Sequence, residues 1–122
     1  MIGIACLKLD PGLSEETVRE FVLWYRKMHV PGFLQSAAGA VVKARRLDPK
    51  FEPIGKVMTL YEFADGVDAA ALMQGPVAKA SWREYRDVWG ARLGKTELNF
   101  EVYDVFEPLQ APADGRDGVP SS

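Results

Sequence analysis

The sequence contains one histidine, His29, and histidine is the side chain best suited to proton transfer near neutral pH. It follows Tyr25 by four residues and Val22 by seven, so a helix would place all three on one face. Because that face is apolar, we predict that His29 points inward. Two roles stay open: capping the last carbonyls of the helix, or acting as an acid/base beside a cleft.

A second pattern is a stripe of large aromatic residues, Trp82, Tyr85 and Trp89, spaced i, i+3 and i+7. Such a stripe usually packs into a core. Three rings in one line could also form the wall of a pocket for a planar ligand, with Tyr61 and Phe100 opposite. Both interpretations predict that these side chains face inward.

Two carboxylates fall inside strand patterns, where polar residues are less expected. They are Glu62 and Asp104. Either could orient His29 or act as a base if it faced a cleft, and either could simply face water.

Hydrophobic periodicity and turn residues divide the chain into six main elements. Alternating or continuous apolar runs predict four strands, at residues 2–9, 40–47, 56–63 and 98–106. Helical spacing predicts helices at 14–29 and 77–93, with a short helical turn at 65–72. Pro31 and Gly32 are expected to stop the first helix.

The order βαββαβ is the ferredoxin-like arrangement, an α+β fold whose two helices cover one face of a four-stranded antiparallel sheet. We assign residues 1–107 to this domain and 108–122 to a flexible tail or dimer arm. The first and third strands are apolar on both sides, so the uncovered face also needs a dry partner. A homodimer is the simplest way to supply it.

Composition excludes several functions. The net charge is −2, with 15 basic and 17 acidic residues, so no nucleic-acid partner is expected. Cys6 is the only cysteine and forms neither a disulfide nor a metal site. The N-terminus resembles neither a signal peptide nor a membrane span, which predicts a cytoplasmic protein without a membrane partner. No glycine-rich phosphate loop or metal-ligand cluster occurs, so we predict no cofactor and no metal.

The segment from Trp24 to Pro31 resembles the W-Y-x-x-x-H-x-P segment of EthD-like proteins in the dimeric α/β-barrel superfamily. The resemblance extends over about residues 1–107. It implies a ferredoxin-like subunit that pairs face to face with a second copy and holds a small-molecule cavity between sheet and helices. One departure is that Pro31, Gly32 and Phe33 follow the histidine after Val30 alone, whereas relatives tend to have a longer segment before the equivalent Pro-Gly-Phe.

Relatives of this type include cofactor-free monooxygenases, isomerases, polyketide cyclases and haem-containing aldoxime dehydratases, and their shared histidine is often the acid/base group. The resemblance therefore implies that His29 transfers a proton on a small apolar, oxygenated metabolite, in a cyclisation, isomerisation or elimination. In this hypothesis Tyr25 or Tyr85 would bind a substrate oxygen, and Trp24, Trp82 and Trp89 would shape the pocket. The alternatives are cofactor-free oxygenation, a non-catalytic small-molecule-binding or stress-response dimer, and haem binding through His29.

Overall fold

The computed structural model describes residues 1–50 and 55–109 of the 122-residue chain. The described residues form four strands: β1 (Ile2–Lys8), β2 (Val41–Leu47), β3 (Lys56–Phe63) and β4 (Glu97–Tyr103). The helices are α1 (Glu15–Trp24), α2 (Val30–Ser36), α3 (Ala69–Gln74) and α4 (Pro76–Trp89). A π-helical turn (Tyr25–His29) joins α1 to α2, and a 3₁₀ turn (Gly90–Arg92) follows α4. In the described part of the chain, no helix combines the length and apolar character needed to span a membrane.

The strands form one antiparallel sheet in the order β2-β3-β1-β4. This confirms the predicted ferredoxin-like α+β fold. The sheet places β1 and β3 at its centre and β2 and β4 at its edges. The central strands β1 and β3 therefore contain the apolar runs from which they were predicted. The edge strands β2 and β4 contain more of the charged residues.

Alternate residues of the central strands pack under the helices. On β3 the buried positions are Val57, Thr59, Tyr61 and Phe63, and on β1 Ala5 and Leu7 lie on the same side. The helices contribute Phe21, whose ring is fully buried. It contacts the rings of Trp24, Tyr25, Tyr85 and Trp89 at centroid distances of 5.4–6.2 Å. This aromatic cluster fixes α1 against α4.

The other face of the sheet, called the open face below, is not covered by any helix of residues 1–50 and 55–109. It presents Ile2, Ile4 and Cys6 from β1 and Met58 and Leu60 from β3, each of which is half-buried. The predicted bare apolar face is thus present. Cys6 lies on it and is half-buried, not deep in the core.

The first helix differs from the prediction, because it does not end near His29. The chain continues through a π turn, in which the Val30 amide donates to the Tyr25 carbonyl five residues back, and then through α2 to Ser36. Proline in a helix lacks an amide hydrogen, and its ring clashes with the carbonyl four residues before it. The wider π turn directly before Pro31 relieves that clash, and π turns of this kind often occur at functional sites.

The last strand is also shorter than predicted. It ends at Tyr103, which pairs with Ile2 at the start of β1, so no strand residue remains to pair with residues 104–106. Of the predicted tail, only Pro108 and Leu109 lie within the described residues, and both are exposed. Its flexibility and its role as an arm stay predictions.

Gly3 on β1 lies so close to two phenylalanine rings that a larger side chain at this position should lower the stability of the protein measurably. A Cβ atom at this position would lie 2.5 Å from the Phe100 ring and 3.0 Å from that of Phe63. Gly3→Ala should therefore lower the free energy of unfolding by about 1–3 kcal/mol in urea titrations. Gly32→Ala is the control, since a Cβ there has no neighbour within 4 Å and Gly32 lies in α2. It should raise stability by about 0.5–1 kcal/mol. Equal effects of the two substitutions would contradict the packing described.

Candidate functional site

A cavity of about 230 Å³ lies between the covered face of the sheet and the helices. Its walls are largely apolar, and a few polar side chains reach into it. Of the residues that the structure describes, ten line it: Ala5, Tyr25, His29, Phe33, Tyr61, Met73, Ala78, Trp82, Leu98 and Phe100. Since a dry protein cavity of about 150 Å³ can hold benzene, this one is large enough for a single ring with substituents.

His29 is held in the cavity wall by the π turn. Its ring stacks on Tyr25 at a centroid distance of 5.2 Å and contacts Trp24 at 5.1 Å. The residue is only 9% exposed. Because the helix continues for another seven residues, His29 does not cap a helix end, and the capping interpretation of the sequence is wrong.

Both ring nitrogens of His29 meet side chains of α4. Nδ1 is 3.0 Å from Oε1 of Glu84, and Nε2 is 3.3 Å from Oγ of Ser81. A carboxylate only accepts hydrogen bonds, so the neutral ring carries its proton on Nδ1 and donates it to Glu84. Nε2 then holds the free electron pair and accepts the Ser81 hydroxyl. The longer of the two contacts is thus at the basic nitrogen.

The surroundings keep His29 neutral. Burial lowers the pKa of the imidazole from its usual value of 6.5, and the hydrogen bond and charge of Glu84 oppose that shift. The Glu84 side chain is 54% exposed, so it connects the buried ring to solvent on the outer side of the helices. A neutral imidazole at pH 7 can act as a base.

Two phenol groups share the cavity with His29. Burial raises the pKa of Tyr25, while contacts of its hydroxyl with Thr59 and Tyr61 oppose the rise. Burial likewise raises the pKa of Tyr61. Both phenols therefore stay protonated at neutral pH and can donate hydrogen bonds to an oxygen atom in the cavity.

The cavity brings together five of the eight residues predicted for the site: Tyr25, His29, Tyr61, Trp82 and Phe100. The other three do not line it. Trp24 and Trp89 pack around Phe21, and Tyr85 lies behind the cavity, stacked on Trp82 at 5.2 Å. Trp24 and Tyr85 each contact a ring that does line the cavity, His29 and Trp82 respectively.

The partner of His29 was not predicted correctly. Glu62 lies on the open face of the sheet, and Asp104 is exposed beyond the end of β4. The carboxylate that contacts the histidine is Glu84, and Ser81 was missed with it. Ser81 directly precedes Trp82, and Glu84 directly precedes Tyr85, so both lie at the edge of the inward stripe of the predicted second helix. This position is the feature of the sequence that could have indicated a contact with His29.

Metal binding has no support in the described portion of the chain. Within residues 1–50 and 55–109, no three histidine, cysteine, aspartate or glutamate side chains are grouped as metal ligands would be.

Solved structures with the same fold belong to several protein groups. An EthD family protein from Bacillus halodurans is 17% identical, with a TM-score of 0.52 over 85% of this chain and 99% of that one. A proposed antibiotic biosynthesis monooxygenase from Deinococcus radiodurans is 12% identical, with a TM-score of 0.55 over 90% and 97%. A dimeric ferredoxin-like protein from an uncultured marine organism is 11% identical, with a TM-score of 0.52 over 88% and 97%.

These similarities show the fold alone, because all three identities are low. They agree with the EthD-like, ferredoxin-like resemblance of the sequence. No family model matches the chain, and no curated protein matches its sequence.

The contact with Glu84 can be tested on His29 directly, because a single histidine gives a single imidazole signal in NMR. The wild-type pKa should lie below 6.5, and Glu84→Gln should lower it further, since the substitution removes the charge that opposes the burial effect. Asp87→Asn, an exposed carboxylate on the same helix, is the control and should leave the pKa unchanged. An unchanged or raised pKa in Glu84→Gln would contradict the contact.

The lowered pKa also predicts how stability depends on pH. In the unfolded chain His29 binds a proton near pH 6.5, whereas in the folded chain it binds the proton only at a lower pH, because its pKa is lowered. Stability present above pH 6.5 should therefore be lost as the pH falls from 6.5 towards the folded pKa. His29→Gln should show a weaker decline in urea titrations between pH 7 and pH 5. A decline of the same size in both proteins would refute the assignment.

Proposed function

We propose that this chain is a cofactor-independent enzyme that transfers a proton on a small, largely apolar, oxygenated molecule. The reaction would be a cyclisation, isomerisation or elimination of an aromatic or polyketide-like compound. The observation that carries the proposal is a neutral, oriented imidazole in the wall of an apolar cavity.

The cavity supports the substrate class. Aromatic and aliphatic side chains form most of its surface, so binding would favour an apolar ring. Tyr25 and Tyr61 are the polar groups on the sheet side, and their hydroxyls would bind a carbonyl or phenol oxygen. Trp82 covers the opposite side and is 43% exposed, which leaves a route for entry.

His29 would act as the base through Nε2. A substrate with an acidic C–H or O–H beside a carbonyl would replace Ser81 at this nitrogen, since that contact is the longer one. Glu84 would hold the ring and stabilise the imidazolium that forms. The phenols would stabilise the enolate oxygen as negative charge develops on it. In an isomerisation, the imidazolium would return the proton to another carbon of the substrate. In an elimination, it would give the proton to the departing oxygen, which leaves as water or an alcohol. In a cyclisation, the enolate carbon would attack a carbonyl of the same molecule, and the imidazolium would protonate the alkoxide that forms.

A cofactor-free monooxygenase is the second candidate. Its first step is the same deprotonation, after which the substrate anion itself reacts with oxygen. The similarity in fold to a proposed monooxygenase favours it. Consumption of oxygen during turnover would distinguish this reaction from the first.

A third candidate is a dimer that binds a small molecule without changing it. The specific observation in its favour is that both nitrogens of His29 already have partners within the chain. In that case the imidazole would serve to hold α4 against the first helix. Under all three candidates we propose a homodimer formed through the open face of the sheet.

Ligand binding can be tested by filling the cavity. Ala78 lines it from α4, so Ala78→Leu should weaken binding of single-ring phenols and aryl ketones by at least about tenfold in native mass spectrometry. The control is Ala80→Leu, the same change at an exposed position of the same helix. Undiminished binding in Ala78→Leu would place the ligand elsewhere.

Catalysis can be tested once a bound compound is identified. General acid/base help is worth about 10²- to 10⁴-fold in rate, so His29→Ala should lower kcat by that factor. Glu84→Gln keeps the hydrogen-bond acceptor and should lower kcat less. Circular dichroism would verify that both variants are folded. Full turnover by folded His29→Ala would refute deprotonation by His29 in both the proton-transfer and the oxygenase candidates, whereas no turnover by the wild-type chain would favour the binding candidate.

A further inference from the structure

Ser81 and Glu84 contact opposite nitrogens of the His29 ring. They are three residues apart on α4, so their side chains leave the same face of that helix about one turn apart. The imidazole lies across this turn, with Nε2 3.3 Å from Oγ of Ser81 and Nδ1 3.0 Å from Oε1 of Glu84. A hydroxyl, an imidazole and a carboxylate therefore form one hydrogen-bonded row.

This row has the order of a nucleophilic triad. In such a triad a serine hydroxyl donates to one imidazole nitrogen, and a carboxylate accepts a hydrogen bond from the other nitrogen. The arrangement occurs on unrelated folds and is recognised by its geometry rather than by sequence position. Contacts between nucleophile and base are often loose before substrate binds, and the contact of Ser81 with Nε2 has such a length. The Ser81 hydroxyl thus lies where a histidine base can activate it.

Ser81 faces a second concavity, which is separate from the interior cavity. A groove of about 450 Å³ lies between α2 and α4, and its walls include Phe33 and Gln35 of α2 and Val77, Ala80 and Ser81 of α4. Gln35 and Ala80 are exposed, so the groove opens to solvent. The ring of Phe33 borders both the groove and the cavity. A small molecule could therefore reach the Ser81 hydroxyl without entering the cavity.

We infer that Ser81, His29 and Glu84 form a second reactive centre, which cleaves small aryl esters bound in the groove. Oγ of Ser81 attacks the ester carbonyl while Nε2 of His29 takes the hydroxyl proton. The imidazolium then gives this proton to the departing phenolate, and the acyl group remains on Ser81. Water, deprotonated by the same nitrogen, adds to the acyl group. The carboxylic acid leaves, and the proton returns to Oγ.

The groove favours esters whose alcohol is a good leaving group. Negative charge that develops on the carbonyl oxygen needs a hydrogen-bond donor. Besides Ser81, the side-chain donors among the described residues of the groove wall are Gln35 and Ser36. Both are exposed, so water weakens the stabilisation that they give to the charge. An aryl ester compensates for this, because phenolate leaves readily and its ring can pack against Phe33 and Val77.

Ester cleavage goes beyond the proposed function and shares with it only His29 and Glu84. In the proposed proton transfer, a substrate in the cavity replaces Ser81 at Nε2. In ester cleavage, Ser81 keeps this contact and is itself the nucleophile, while the substrate lies in the groove. Substitutions of Ser81 and of the groove wall can therefore separate the two reactions.

Reaction of the full chain with p-nitrophenyl acetate tests the role of Ser81. The wild type should release p-nitrophenol over repeated turnovers. When the reaction is stopped with acid during turnover, mass spectrometry of the peptides should find one acetyl group on Ser81. Ser81→Ala should lose this adduct and lower kcat by about 10²-fold or more. Ser81→Cys should keep an adduct, as a thioester, because a nucleophile remains beside His29.

Glu84 is a positioning residue in this reaction, since it acts through the ring. Glu84→Gln should lower kcat for the ester about tenfold and leave KM little changed, because the side chain keeps its shape and loses its charge. Asp87→Asn is the control, an exposed carboxylate on the same helix, and should change neither constant.

The position of the ester can be tested by filling the groove. Ala80→Leu should raise KM for p-nitrophenyl acetate at least about tenfold, while binding of phenols in the cavity stays normal. Ala70→Leu makes the same change at an exposed position of α3 and should have no effect on KM.

Circular dichroism would verify the fold of every variant. A wild-type rate in Ser81→Ala would overturn the inference, because the imidazole itself would then be the nucleophile. Acetyl groups only on lysine or tyrosine side chains would also overturn it, as would a wild-type chain that does not turn over the ester. Each of these results leaves proton transfer in the cavity to the tests with His29→Ala and Ala78→Leu, so the two proposals can fail separately.

Discussion

The structure of the candidate site depends on one contact between two helices, the hydrogen bond from His29 to Glu84. Glu84 lies on α4 and is half exposed, whereas His29 is buried in the first helix. Loss of the contact would leave a buried imidazole without the partner that fixes its proton on Nδ1. The basic nitrogen would then have no defined position, and the cavity would lose its reactive group.

The π turn is what brings the histidine to Glu84. A regular α-helix over the same residues would meet the clash between Pro31 and the carbonyl of Lys27, and would end there. The wider turn lets the helix continue, and it brings both Trp24 and Tyr25 into contact with the same imidazole ring. Pro31 suggests a helix end in the sequence. In the structure, the π turn that accommodates this proline is what positions the side chains of the site.

Most of the fold could be predicted from the sequence, because the strands carry alternating or continuous apolar runs that are bounded by turn residues. The bounds of β3 match the prediction, and Ser14, the first residue of the predicted first helix, is the N-cap of α1. The site was less predictable. A proline signals a helix end in most sequences, so the continuation to Ser36 was missed. Glu84 was missed because its position at the edge of the inward stripe does not indicate which residue of another helix it contacts.

The two faces of the sheet have separate roles in this account. The covered face forms the floor of the cavity through Ala5 and Tyr61, and the open face carries the half-buried apolar side chains of β1 and β3. Successive side chains of β1 and β3 point to opposite faces of the sheet, and on both faces most of them are apolar. This explains why strands at the centre of a small sheet lack the polar alternation usual for half-exposed strands.

The central claim, that His29 is a neutral base oriented by Glu84, can be tested most directly by the ¹⁵N chemical shifts of its ring at pH 7. The account predicts a protonated Nδ1 and an unprotonated Nε2. A proton on Nε2 alone, or on both nitrogens, would contradict it.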